Sequence, residues 1–291
     1  MRNAMKRWMM LVVVLAVPIA WSPAQAGMAG RIVVAGYGPE LSVMQDLGRA
    51  FEKSHPGTAI DFLWDKNVKA VELVRAGEAQ VAVTDRPDMA LKMTPIAWDG
   101  LAVVVNFANP VREVTTEQVR DLFTGKITHW SDLDAGDRKV EVVARTADDN
   151  VQAGFEASLG ISGQFRASAK SVRTDEKVLR SVSGRDGAIT VISLAAALKA
   201  QEDGIPIRVL TIDKIEPGQP TVKNGNYKLR RPVLLLTKQL PDPVTEAFLK
   251  FAVSADGKAL VQPMFVPHEP GQFEVLTPPA RLVEALEKPR T

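Results

Sequence analysis

The chain has 291 residues, with 36 Lys and Arg against 34 Asp and Glu, and it contains no cysteine. That excludes disulfides, thiolate metal sites, cysteine nucleophiles and a lipid-modified cysteine behind a leader. Three of the basic residues and none of the acidic ones precede residue 27, so the rest of the chain carries a net charge near −1 and offers no basic stripe for nucleic acid.

Arg2, Lys6 and Arg7 lead into an apolar run from Trp8 to Trp21, followed by Ala24-Gln25-Ala26. A membrane-spanning helix needs about 20 apolar residues. This run is shorter, holds Pro18 and ends in a small-x-small pattern, so residues 1–26 read as a secretory signal peptide cleaved after Ala26. About 265 residues remain, enough for two modest lobes.

Arg31 to Ala35 is the first strand-like run. Through Gly36-Tyr37-Gly38-Pro39 it leads to Leu41, Met44, Leu47, Ala50 and Phe51, spaced as one face of a helix that His55-Pro56-Gly57 stops. A strand at Ala59 to Leu63, a helix at Val68 to Arg75 closed by Gly77, and a strand at Val81 to Val83 continue the alternation. That order predicts a doubly wound α/β lobe with mostly parallel pairing. The unbroken apolar run Leu101 to Val105 predicts a fully buried strand, with Asn106 to Pro110 as the crossover into a second lobe. Thr115 and Gln118 form a capping box for a helix over Glu117 to Phe123. Strands are expected at Val140 to Ala144 and Ala188 to Ile192, and helices at Val151 to Leu159, Asp175 to Val182 and Leu194 to Ala200. Ile212 to Asn226, rich in Pro, Gly, Lys and Asn, reads as a loop. Arg231 to Leu236 returns as a strand, and amphipathic helices follow at Val244 to Val253 and Ala255 to Val261. A return strand that rejoins the first lobe gives a discontinuous lobe 1 (residues 27–106 plus 227–291) around lobe 2 (107–226), with two crossovers acting as a hinge beside a cleft. The tail beyond Leu276 is rich in Pro and charge, and the chain has no internal repeat.

Several of these segments carry a resemblance. Phe51-Glu52-Lys53-Ser54-His55-Pro56-Gly57, Ile96 to Asn106, Phe123-Thr124-Gly125-Lys126-Ile127-Thr128-His129-Trp130-Ser131-Asp132-Leu133, Gly187-Ala188-Ile189, Tyr227 to Pro232 and Phe248 to Phe251 resemble, in order, the periplasmic phosphate-binding protein family of ABC-transporter substrate-binding proteins. The resemblance implies a two-lobed periplasmic-binding-protein fold of type II, a hinge, and a cleft closing on a small anionic solute of phosphate type. It also implies a soluble periplasmic monomer that delivers its ligand to a membrane ABC transporter, with no enzymatic activity and no cofactor.

In that family an anion is held by helix N-termini, hydroxyls, an Arg, and an Asp that accepts a hydrogen bond from a protonated phosphate oxygen. Each part has a counterpart in this sequence. The first loop lacks the family's hydroxyls, leaving backbone N–H groups at Tyr37 and Gly38, with Glu40 as a first-turn acid complementing the helix dipole. Thr84-Asp85-Arg86-Pro87 matches the family's Ser-Asp-x-Pro turn, so Thr84 supplies a hydroxyl and Asp85 the acceptor. In the third loop Arg145 is kept, but Asp149, Asn150, Val151 and Gln152 stand where the family has Ser-Gly-Thr-Arg. Asp149 is placed to cap the following helix and compete with an anion for the same N–H groups. The expected ligand contacts are therefore Gly38, Thr84, Asp85, Arg145, Asp149 and Asn150, and Trp64 stands where a cleft wall would be.

Other chemistries lack their residues. Gly36-Tyr37-Gly38 has Leu41 at the third position of a dinucleotide fingerprint. His55, His129 and His268 have no paired spacing for a metal. No Gly-x-Ser-x-Gly elbow occurs, and Asp85, Asp148 and Asp149, acids that could meet across a cleft, have no nucleophile motif beside them. Two alternatives to an oxyanion ligand stay open: a cationic or zwitterionic solute selected by Asp85, Asp149 and Glu40, and a ligand-free envelope interaction module whose old site is filled by Asp149.

Overall fold

The computed structural model describes residues 29–146, 149–166, 171–172 and 174–271. The expected signal peptide, Asp148 and the tail beyond Leu276 lie outside them. In chain order the elements are β1 (Gly30–Gly36), α1 (Leu41–Ser54), β2 (Thr58–Trp64), α2 (Ala70–Ala76), β3 (Val81–Thr84), β4 (Lys92–Asn106), β5 (Glu113–Val114), α3 (Thr116–Thr124), β6 (Glu141–Val142), α4 (Asn150–Leu159), α5 (Asp175–Ser183), β7 (Ala188–Ser193), α6 (Leu194–Glu202), β8 (Ile207–Val209), β9 (Thr211–Ile212), α7 (Gln219–Lys223), β10 (Arg230–Thr237), α8 (Pro243–Ala252), α9 (Ala255–Val261) and β11 (Val266–Pro267).

One continuous sheet runs through both lobes in the order β2-β1-β3-β10-β4-β7-β6, with β8 and β11 also paired to β4. β1 lies parallel to β2 from Gly30 opposite Thr58 to Gly36 opposite Trp64, and parallel to β3. β6 and β7 are parallel as well. Around β4 and β10 the pairing is antiparallel. The expectation of mostly parallel pairing thus holds on either side of these two strands and fails at them, because they carry the chain out of one lobe and back in opposite directions.

The strand expected at Leu101 to Val105 is the second half of β4. Its first half pairs with β10 from Lys92 to Gly100, and its second half pairs with β7 from Leu101 to Val105. The change of partner is fixed by polar contacts: the Leu101 N–H donates to the Leu229 carbonyl at 2.8 Å, and the Tyr227 hydroxyl donates to the Leu101 carbonyl at 2.9 Å. Asn106 to Pro110, expected to cross between lobes, follows the end of β4. There the Asn106 amide donates to the carbonyls of Val182 and Ser183 at the end of α5.

Alternation along the strands divides the core. In β10, Val233 and Leu235 face α1 and α8, together with Val34, Met44, Leu47, Phe51 and Phe248. Leu234 and Leu236 face the other side with Ala35, Ala82 and Val74 of α2. A strand with side chains of period two that is apolar at every position must be covered on both faces. The second lobe has its own core around Val103, Val105, Phe123, Trp130, Phe155 and Ile189. The predicted capping box is present, with Thr115 accepting from the Gln118 N–H and Gln118 from the Thr115 N–H. Residues 212–226, read as a loop, hold the short helix α7 with Pro at its first turn.

Candidate functional site

Two arginines organise the cleft. The first, Arg231, opens the buried stretch of β10 and is 1 % exposed. Its Nη2 lies 2.5 Å from Glu40 Oε1 and 2.9 Å from Asp99 Oδ2, and its Nε donates to Asp99 Oδ2 at 3.0 Å. The other oxygen of Asp99 accepts from the Ser193 hydroxyl at 2.7 Å. Asp99 comes from β4, Ser193 from the end of β7 and Glu40 from the start of α1, so this cluster ties the loop before α1 to the crossing strands and to the second lobe. Glu40 was expected to complement the α1 dipole as a first-turn acid. Instead it is buried, makes no capping bond, and spends its charge on Arg231.

Gly38 permits this arrangement. Its φ is +122°, and a Cβ there would come within 2.5 Å of Glu40 Oε2. The carbonyls flanking this turn are engaged: that of Tyr37 accepts from the Asn150 side-chain amide at 2.6 Å, across the lobes, and that of Gly38 accepts from the Trp64 indole N–H at 3.1 Å.

Thr84 and Asp85 follow β3. The Thr84 hydroxyl accepts from the Arg86 N–H at 3.1 Å. Asp85 is 8 % exposed, and its Oδ1 has no hydrogen-bond partner among the described residues. Burial pushes its carboxyl above the ordinary range, against the pull of Arg231 and Arg86 and with a push from Asp149. Burial likewise raises Glu40 and Asp99, opposed in both by Arg231.

The second arginine, Arg145, is 6 % exposed. Its Nε lies 2.8 Å from Asp149 Oδ2, its Nη1 bonds Asp175 Oδ1, and its backbone N–H donates to Gln152 Oε1 at 2.9 Å. Burial works against its charge, and the two aspartates outweigh that and hold its pKa above the usual value. Asp149 caps α4, its Oδ1 accepting from the N–H groups of Val151 at 3.0 Å and Gln152 at 3.2 Å. One carboxylate thus receives a guanidinium and two helix N–H groups, which is the donor set an oxyanion oxygen would take.

Helix α4 brings the lobes together. A Cβ on Gly154 would lie 2.7 Å from Arg231 Cδ and 3.0 Å from Asp85 Oδ2, so its backbone rests directly on the first arginine cluster. Toward solvent the Asn150–Tyr37 bond divides the cleft mouth. On one side a cavity of about 460 Å³ is lined by Trp64, Asp65, Arg145, Asp149 and Asp175. On the other a cavity of about 390 Å³ is lined by Lys66, Lys69, Thr84, Arg86 and Asn150. Of the six residues expected to meet the ligand, Gly38, Arg145 and Asp149 line the first cavity and Thr84 and Asn150 the second, while Asp85 lines neither and lies beneath α4 beside Gly154.

Arg231, Asp99 and Asp175 were not expected there. Arg231 and Asp99 lay inside segments that carry the resemblance, yet nothing local marks their partners, which are 132 and 191 residues away from Arg231. Among the described residues no group of acids and histidines is placed to hold a metal ion.

Residues 22–256 match the family model of the PBP superfamily domain. The chain belongs to that family. Among curated relatives, the phosphate-binding protein PstS 2 of Streptococcus agalactiae is 33 % identical over 111 residues, covering 36 % of this chain and 38 % of that protein, so the match spans well under half the length of the relative. The phosphate-binding protein PstS of Staphylococcus haemolyticus is 24 % identical over 238 residues, covering 75 % of this chain and 74 % of that protein. Among solved structures, a phosphate ABC-transporter substrate-binding protein from Clostridium perfringens with bound phosphate superposes with a TM-score of 0.72 at 23 % identity, over 82 % of this chain and all of that one. An ABC-type phosphate transport receptor from Vibrio cholerae gives 0.71 at 25 % identity, with the same coverage. These likenesses establish the two-lobed type II architecture.

Proposed function

We propose that the chain is an exported, non-catalytic solute-binding protein of phosphate-binding type, free in the periplasm after cleavage near Ala26, whose interlobe cleft takes phosphate or a related oxyanion when Asp149 leaves its seat. The observation that carries this reading is the Asp149 carboxylate itself. Held by Arg145 and by the N–H groups of Val151 and Gln152, it occupies donors that suit an oxyanion, and in this reading it is an internal competitor for them. Delivery of the ligand to a membrane ABC transporter is supported by the likeness to an ABC-type phosphate transport receptor, and the working unit in this reading is a monomer. We place the lobe division inside β4, between Gly100 and Leu101, and at the head of β10 near Leu229, where the strand partners change, in preference to residues 106 and 226.

A like charge about 4 Å from a bound oxyanion costs on the order of 4 kcal/mol at an effective dielectric near 20, and Arg145 offsets part of it. Calorimetric titration of the mature protein is expected to show phosphate binding that tightens by roughly 10- to 1,000-fold in Asp149→Ser. Silence from both proteins at millimolar phosphate would sink the reading.

One observation favours a second reading, the ligand-free interaction module. Glu40 and Asp99 already pair with Arg231 and Asp149 with Arg145, although Arg231 Nη1 has no hydrogen-bond partner among the described residues, and α4 already rests on Arg231. Under it, the same titration is silent and small-angle scattering shows a closed shape that phosphate does not change. A cationic solute is less well served, because Glu40 and Asp149 spend their charges on Arg231 and Arg145.

A further inference from the structure

The two cavities at the cleft mouth differ in sign. The one beyond the Asn150–Tyr37 bond from Asp149 gathers Lys69, Arg86 and Lys66, the last shared with the other cavity, and Glu72 is the one acid among its lining residues. Lys69 lies 3.5 Å from Glu72, a contact between two exposed side chains that is worth little in water. Lys66 and Arg86 make no ion pair among the described residues; Arg86 feels only the more distant pull of buried Asp85. Counting Lys66, Lys69, Arg86 and Glu72, the wall carries a formal charge of +2.

Two neutral groups add directed donors. Thr84 Oγ1 accepts from the Arg86 N–H, which leaves its own proton free to donate. The Asn150 amide gives one N–H to the Tyr37 carbonyl and keeps a second. The remaining lining is apolar, with half-buried Val68 and Val71 beside Val83 and Tyr37. A volume of about 390 Å³ falls within the range of roughly 300–1,000 Å³ found for pockets that enclose organic ligands. A bare tetrahedral ion would leave the valine wall uncovered.

From this we infer a second ligand site, separate from the seat held by Asp149: a pocket for a phosphate monoester, its dianionic head on Lys66, Arg86, Thr84 and Asn150 and its apolar substituent on Val68 and Val71. The charge matches, since such a head carries about −1.5 to −2 near neutral pH. The cavity beside Asp149 is walled by Tyr37, Pro39 and Trp64 as well, but Asp65, Asp149 and Asp175 against Lys66 and Arg145 give it a formal charge of −1, so with Asp149 seated a dianionic ester is directed to the outer pocket.

The test is titration of phenyl phosphate into the mature protein, with orthophosphate and phenol as separate probes. Saturable binding of phenyl phosphate is expected, with no binding of phenol. Arg86→Ala, which spares the shared Lys66, should weaken phenyl phosphate, the double variant Lys66→Ala/Arg86→Ala should weaken it at least tenfold, and Val71→Asp should weaken it without touching the cations. Asp149→Ser should leave phenyl phosphate affinity within about twofold while tightening orthophosphate. The inference is overturned if phenyl phosphate does not bind, if its affinity survives loss of both cations, or if it binds only once Asp149 is removed. In that last case the ester is using the inner seat and the oxyanion reading stands alone. Ester binding together with silence toward orthophosphate in Asp149→Ser would have the reverse meaning. Thermal melts of each variant establish that weakened binding comes from a folded protein.

Discussion

At Arg231 one guanidinium serves two carboxylates in direct contact and a third, Asp85, at longer range, all of them buried. Burial raises the pKa values of Glu40, Asp85 and Asp99, and one guanidinium shared among three carboxylates opposes it only in part. An acid whose folded pKa is raised binds its proton more tightly when folded. Its contribution to stability is complete below the ordinary carboxylate pKa and is lost as the pH rises through the folded value. The melting temperature is therefore expected to fall as the pH is raised from about 4 toward neutrality, to the extent set by these three groups. Asp242, Glu246 and Glu269, whose pKa values are lowered, act in the opposite sense. Asp85→Asn isolates one contribution, because the amide keeps the shape and removes the titration. A plot of melting temperature against pH should be shallower for the variant, and an unchanged slope would show that Asp85 ionises freely. At this scale the sequence was a partial guide. It marked Thr84, Asp85, Arg145 and Asp149 because the segments that hold them match the anion-binding loops of the family the chain resembles. It misread Glu40 and passed over Arg231, because a buried pair between residues 191 positions apart leaves no local spacing.

Helices were the most legible elements, since a 3.6-residue period and a cap are properties of adjacent residues. The Thr115–Gln118 box and the Asp149 cap are present as expected, and α1 buries Met44, Leu47 and Phe51 with Val43 and Gly48. Strands were legible only where their faces are apolar throughout. β4 was seen from Leu101 onward, whereas Lys92 to Gly100, with Thr94, Pro95, Asp99 and Gly100, lacks an unbroken apolar run and is made a strand by pairing with β10. The strand expected over Val140 to Ala144 shrinks to Glu141–Val142, and Ile207–Val209 pairs with β4 without an advance signal. Helix α4 gives the prediction that belongs to this scale. Gly154→Ala gains helix propensity of about 1 kcal/mol, but its methyl would press on the shaft of Arg231, a side chain fixed by two ion pairs and unable to swing away. Overpacking of this kind costs about 1–3 kcal/mol, so a lower urea midpoint is expected, with a net loss of up to about 2 kcal/mol. A stabilised variant would mean that α4 does not rest on Arg231 in solution.

For the whole molecule, the two-lobed plan could be read from alternation of elements and from the family segments, while the crossing proposed above, inside β4, has no mark in the sequence. The reason is that β4 has no break at the boundary: its hydrogen bonds pass from one neighbour to another within a single extended run. A hinge built this way flexes by twisting two adjacent antiparallel strands, and β4 and β10 share that motion. The same construction bears on how the molecule comes apart. A protein whose halves are joined by loose linkers can lose one half and keep the other, but here β4 is paired on both sides in each half, by β10 and β11 at Ala97 and Trp98 and by β7 and β8 at Val104 and Val105. Neither half can melt without stripping partners from the other, so calorimetry should record a single cooperative transition in place of two. Deuterium should enter the backbone amides of β4 on both sides of Gly100 at one common, slowest rate, that of global opening.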